Sequence, residues 1–236
     1  MFRIAALLLT AGLSACSLNR AYIPMVQPVP LSGQPGDIYA GGSIQPDQGF
    51  NARVGAAFPG HVAVLAAGIY GQKDNCFSCS KQVARHLESG IGLYGTAAGW
   101  RQEGYVGGGA GRFRLLNSRG FDPEDEDQTV MSGRYSLGFA QWNAGRTGKY
   151  LDHAVSTRLS LFGFTDLERR NGGGIPLAAP RHYRGVYLEP AFTLRFGYRW
   201  IKAESQIGVS LPLAQADGAE NQKAWIALGI GIKGPR

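Results

Sequence analysis

From Gly185 to Arg199 the chain reads GVYLEPAFTLRFGYR, and its alternation fixes its conformation. Val186, Leu188, Pro190, Phe192, Leu194, Phe196 and Tyr198 fall on one face. Tyr187, Glu189, Ala191, Thr193, Arg195, Gly197 and Arg199 fall on the other. A period of two sustained this long belongs to a β-strand, whose successive side chains point to opposite sides. The following IKAESQIGVSLPL sets Ile201, Ala203, Ile207, Val209, Leu211 and Leu213 against Lys202, Glu204, Gln206, Gly208 and Ser210. The apolar positions change from even to odd, as they do across a two-residue turn at Arg199-Trp200 that pairs Tyr198 with Ile201. In that register Arg195 stands opposite Glu204 on the polar face, the ion pair expected inside the fold.

About ten such segments run along the chain, at roughly 37–44, 48–58, 61–71, 83–97, 103–116, 129–142, 151–164, 185–198, 201–213 and 223–233. Their connections alternate between short ones, such as PG and RW, and long ones, such as NSRGFDPEDEDQ and TDLERRNGGGIPLAAPRHYR. This is the pattern of an outer-membrane barrel, with short periplasmic turns and longer outer loops. The expected fold is therefore all-β, a closed antiparallel up-and-down barrel with its apolar face toward lipid. In the sixth segment Met131, Tyr135, Leu137 and Phe139 are expected on the lipid side and Ser132, Arg134, Ser136 and Ala140 inside. The interior set is Glu88, Arg112, Arg114, Arg134, Arg158, Glu189, Arg195, Lys202 and Glu204, packed and paired. Trp100, Trp142 and Trp200 fall at short turns and mark one membrane interface, since indole rings favour the headgroup level; Trp225 is the exception.

Composition closes off other classes. The 236 residues carry a net charge of +7, but charged residues are only 17% and form no Lys/Arg run, so nucleic acid is not an expected partner. The 35 glycines lack a collagen-like period and suit tightly curved strands.

The chain begins with Arg3 and a short apolar run, LLLTAGLSAC, too brief to span a bilayer and built like a secretory signal. Leu13-Ser14-Ala15-Cys16 resembles the lipobox of bacterial lipoproteins. That resemblance implies cleavage before Cys16, acylation of Cys16 and handling by lipoprotein-processing machinery. Residues 1–15 are then signal peptide, 16–36 a lipidated, Pro-rich tether, and 37–236 the barrel domain. With an even strand count both chain ends are expected on the periplasmic, short-turn side.

Candidate chemistry is sparse. Cys76 and Cys79 form CFSC with no second pair, which favours a loop disulfide over a redox or zinc site. DPEDED, Asp122 to Asp127, lacks the spacing of a calcium loop and reads as a solvated acidic loop. Asp152, His153 and Ser156 are the nearest approach to a nucleophilic set. GGGAG at Gly107 to Gly111 has no helix after it to cradle a phosphate and reads as barrel curvature. No catalytic, cofactor or metal site is expected.

LSAC, the approach AYIPMVQPVPLSGQPGDIYAGGSI and YLEPAFTLRFGYRW together resemble a family of small Bacteroidetes-type outer-membrane β-barrel lipoproteins. The resemblance implies outer-membrane lipid and the barrel-insertion machinery as partners, and no reaction. The terminal GIGIKGPR departs from the aromatic end that many barrels present to that machinery. The expected role is structural or surface interaction. A periplasmic, lipid-tethered lipocalin-like barrel would need the Val186 to Tyr198 face inside, and a lipid hydrolase would need Ser156 and His153 in one cleft.

Overall fold

The computed structural model describes residues 20–22, 25–45, 49–75, 80–117, 129–165, 167–171, 176–181, 184–198, 200–215, 220–221 and 224–234. Cys16, Cys76, Cys79, the acidic run 122–127 and the signal segment lie outside them. Among the described residues, 13 strands join one sheet. Ten are the staves of a barrel: β1 (Ile38–Gln45), β2 (Gly49–Ala57), β3 (Val62–Asn75), β4 (Ser80–Ala97), β5 (Trp100–Asn117), β6 (Thr129–Thr147), β7 (Leu151–Phe164), β8 (Arg184–Tyr198), β9 (Ile201–Val209) and β10 (Ala224–Lys233). The other three are an added hairpin, Leu167–Asn171 with Pro176–Arg181, and Leu211–Gln215, which carries β9 on past Ser210. Each stave pairs antiparallel with the next, and β10 returns to β1 through Leu228↔Ile44 to Lys233↔Tyr39. Closure leaves no stave with an unpaired edge, so the ladders satisfy the backbone without help from solvent.

The β8–β9 register runs from Ala191↔Gly208 to Tyr198↔Ile201 and includes Arg195↔Glu204. At the same end of the barrel Ala97 pairs with Trp100 across Ala98 (φ 51°) and Gly99 (φ 76°), both left-handed, as a primed hairpin turn requires. The opposite end carries the longer connections. There β3 and β4 stay paired out to Asn75↔Ser80, so the stretch expected as a loop from 72 to 82 is mostly strand.

The apolar face points outward. Leu87, Leu93 and Phe196 leave 69%, 64% and 68% of their surface uncovered, and Phe192, Leu194, Ile207, Ile226, Leu228 and Ile230 share the exterior with them. A lipocalin-like cavity would need the reverse. Soluble monomers rarely expose a continuous apolar patch above a few hundred Å², and this one runs round the wall.

Two neighbouring strands turn the opposite way from the expectation. Tyr135, Leu137 and Phe139 of β6 are buried in the lumen, while Arg134, Ser136 and Ala140 face out; Arg112 and Arg114 of β5 face out as well. Glycine on the neighbouring stave supplies the reason. Gly111, Gly109 and Gly107 of β5 lie opposite Tyr135, Leu137 and Phe139. The Tyr135 ring fills the place a Cβ on Gly111 would take, and a Cβ on Gly90 or Gly107 would stand only 3.0 or 2.6 Å from the Phe139 ring. The GGGAG run is therefore a seat for rings. With Tyr94, Tyr105, Phe113, Phe162, Phe164 and Tyr187 these side chains make an aromatic layer inside the barrel.

Gly111→Ala should cost about 1–3 kcal/mol by overpacking against Tyr135. The same substitution in a Tyr135→Ala background should cost much less. Urea unfolding of the four proteins, followed by gel mobility without boiling, measures both.

Candidate functional site: the filled lumen

The Pro-rich approach to β1 is not a free tether over Met25–Ser32. Met25, Val26, Gln27, Val29, Leu31 and Ser32 are each 5% exposed or less, enclosed by the barrel wall. The composition of this stretch suits the place. Pro28 and Pro30 have no N–H to satisfy, and Met25, Val26, Val29 and Leu31 supply apolar bulk. Val26 packs with Ala191, Trp225 and Ala227, Met25 with Ala67 and Ile69, and Val29 and Leu31 with Ala154. Pro30 occupies the space left by Gly55 on β2.

Inward side chains of the wall bind the backbone of this plug. Gln206 clasps Gln27 on both sides: its Oε1 accepts from the Gln27 N–H at 2.8 Å and its Nε2 donates to the carbonyl at 3.0 Å. Gln141 and Asn143 donate to the Pro28 carbonyl at 2.6 and 3.3 Å. Arg195 donates to the Val29 carbonyl at 2.6 Å, and Arg101 and Lys233 to that of Leu31 at 2.7 and 2.8 Å. Glu103 accepts from the Ser32 N–H at 2.6 Å. Buried peptide groups must be paired, and the wall provides the partners that solvent would give a tether.

Arg195 and Gln141 each belong to a buried ionic cluster. In one, Glu204 receives Arg53 at 2.7 Å, Arg195 at 2.6 Å and the Tyr39 hydroxyl at 2.7 Å. The Arg195 guanidinium lies 4.7 Å from the Tyr39 ring centroid. In the other, Arg158 grips both oxygens of Glu88 at 2.8 and 3.0 Å and donates to Gln141 Oε1. His86 Nε2 stands 3.3 Å from Glu88. Glu189 accepts from the hydroxyls of Ser160 and Ser210. Lys202 bridges Asp152 and the Gly148 carbonyl near the short turns, at 2.6 and 2.7 Å.

No family model matches the sequence, and no curated protein matches it. The fold does have a solved counterpart. The translocator domain of the autotransporter NalP from Neisseria meningitidis is similar, with a TM-score of 0.50 and 11% sequence identity, over 98% of this chain and 97% of that one. At that identity the likeness is one of fold alone.

The remaining sequence candidates separate. Asp152 and Ser156 point into the lumen, whereas His153 lies on the other face of β7 with its ring edge-on to Trp100 at 5.8 Å, so no nucleophilic set assembles there. Trp200 is exposed at its short turn, beside the stacked Tyr150 and Tyr198, and Lys149 sits over both rings. Trp100 packs under Arg146. Trp142 faces out but opposite Gly104, several residues up the wall from the turn. Trp225 faces in.

At the short-turn end Asp37 accepts from the Gly33 N–H at 2.8 Å and faces Lys233 at 3.3 Å and Arg101 at 3.6 Å. Burial alone would raise its pKa; the Gly33 N–H and the two cations outweigh that and hold the carboxyl below its usual range. A depressed folded-state pKa contributes stability that is present above the unfolded value and is lost as pH falls through the folded one. The protection of the Gly33 amide relative to its intrinsic exchange rate should therefore fall only in strong acid in the wild type, and should be reduced at every pH in Asp37→Asn.

Breaking the Glu204 cluster by Arg195→Met should cost about 3–5 kcal/mol, the usual penalty for removing one partner of a buried pair. Denaturant midpoints of the refolded protein test it. In planar bilayers the wild type should carry no steady current, and a variant lacking residues 25–32 should conduct.

Proposed function

We propose that the chain is a lipid-anchored outer-membrane β-barrel that acts through its exposed connections, in a structural or surface-interaction role, without catalysis and without a standing pore. The observation that carries this reading is the pairing of a continuous apolar exterior with a lumen filled by the chain's own Met25–Ser32 segment. Hydrocarbon is the medium such an exterior requires, and the filled lumen leaves a transported solute no path. The NalP likeness supports the barrel architecture.

The path of the plug changes where the anchor belongs. Ser32 is held by Glu103 near the short turns, Gln27 by Gln206 and Glu189 halfway up the wall, and Arg20–Tyr22 pairs parallel with Glu220–Asn221, between β9 and β10 at the long-connection end. The chain therefore runs up the lumen as it is followed toward its N-terminus. The expectation that both ends share the short-turn side rests on a tether outside the barrel; the course of Met25–Ser32 through the interior supports the opposite side for the N-terminal end. C-terminal Lys233 stays at the short-turn end, paired with Tyr39. Cys16 is four residues before Arg20, a reach of about 14 Å at most, so its acyl group enters the outer leaflet on the long-connection side.

The test uses two epitope insertions in the full chain, one after Asn19 and one after Gly218, each checked for folding by gel mobility without boiling. Both should be labelled by antibody on intact cells. Labelling at 218 alone would place the anchor on the periplasmic side. Labelling of neither before permeabilisation would remove the outer-membrane reading.

A further inference from the structure

The outward face of β4, β5 and β6 sets three arginines side by side. Arg85 is the register partner of Arg112, and Arg112 of Arg134, and all three point away from the lumen. Neighbouring strands are about 4.8 Å apart, and like charges directly opposite one another destabilise a sheet. Arg114 stands two positions farther along β5 on the same face, and Arg184, outward on β8, continues the collar across Gly163. Among the described residues one carboxylate borders it, Glu168 of the added hairpin, opposite Ser132. The remaining outward positions flanking the row are Leu87, Ala110 and Ser136 below and Val83 above. The Arg85 guanidinium rests 5.1 Å from the Tyr70 ring centroid, which aims it along the surface. Among the described residues the arginines of the cluster outnumber its carboxylate.

Its height on the wall identifies what meets it. Arg112 is twelve residues along β5 from Trp100, about 40 Å along the strand and about 30 Å along the membrane normal at a tilt near 40°. That is one hydrocarbon thickness. With Trp100 and Trp200 at one boundary, the collar sits at the other, level with lipid headgroups, directly above exposed Leu87, Ile91 and Leu93. A guanidinium fork matches the oxygens of a phosphate and binds it bidentately. A second copy of the chain docked through this face would add another row of cations, which argues against that occupant.

We propose that the collar is a binding site for the phosphate groups of a phosphorylated glycolipid in the leaflet at the long-connection end, with Arg85 and Arg112 as its principal ligands. The acyl chains lie against the apolar wall beneath. This rests on the membrane-barrel reading above.

The experiment uses the full chain, folded in detergent, with bisphosphorylated lipid A and the same lipid after removal of its phosphates as probes, and native mass spectrometry as the readout. Wild type should retain the phosphorylated lipid and release the dephosphorylated one. Arg85→Gln/Arg112→Gln should weaken retention by about tenfold or more, as the loss of charge-assisted hydrogen bonds implies. Arg146→Gln/Lys149→Gln, at the short-turn end, should leave it unchanged. Equal retention by the Arg85/Arg112 variant, or equal retention of the two lipids, would overturn the site. So would a wild-type dimer that tightens when the two arginines are removed. Flotation with lipid vesicles separates this from the reading it rests on. A chain that floats but ignores the phosphates loses only the collar, whereas one that does not float loses the membrane barrel as well.

Discussion

An apolar exterior obliges the polar side chains of this fold to find their partners within one narrow lumen. Ten staves with greasy outward faces leave Arg53, Glu88, Arg158, Arg195, Lys202 and Glu204 nowhere to go but in, and each is 7% exposed or less. Moving such charges out of water is costly, and their attraction repays it only when geometry is good and other polar groups complete the shell. The structure meets most of that demand by clustering them, although among the described residues Arg53 leaves Nε and one Nη buried without a hydrogen-bond partner. Glu204 takes three donors, Glu88 takes both arms of Arg158, and Asp152 takes Lys202 together with a backbone N–H.

The plug follows from the same constraint. A charged lumen wide enough for ten staves would otherwise fill with water, and the wall would lose the dry contacts that strengthen its ion pairs. Gln27 to Ser32 supply a row of carbonyls that Gln206, Gln141, Arg195, Arg101 and Lys233 can bind, and the prolines withhold the donors that would compete. Rings occupy the rest of the space. They fit because glycines stand beneath them: Gly208 under Trp225 repeats the cross-strand arrangement of Gly111 with Tyr135, and Gly41 under Tyr39 and Gly185 under Tyr187 do the same within one strand. The abundance of glycine is thus a matter of lumen volume as much as of curvature.

A barrel closed by its own chain has different uses from an open one. Its interior is committed to holding the N-terminal segment, so interaction with other molecules falls to the two rims and the outer wall. The rims differ in chemistry. The short-turn end is tied together by Asp37, Lys233 and Arg101 and edged with Tyr150, Tyr198 and Trp200, whereas the other end carries the added hairpin and the outward arginines of β4 to β6.

Residues 185 to 213 alone determine a great deal. Their period of two makes strands, and the change of parity at Arg199-Trp200 fixes the hairpin and the Arg195–Glu204 pairing, because register is a local consequence of turn length. Alternation could not say which face of β6 looks inward, since Tyr135, Leu137 and Phe139 are as apolar as any lipid-facing set. Glycines on a neighbouring stave, far off in sequence, turned them in and put Arg112 and Arg134 outside. The plug was half-legible: Met25, Val26, Val29 and Leu31 are too apolar for a solvated tether, but prolines read the same way in a linker and in a lumen. Its course depends on groups at Glu103, Gln141, Arg195 and Gln206, which only closure of the barrel brings around it. Local periodicity sets which residues share a face; what that face meets is decided by the elements that tertiary structure places opposite it.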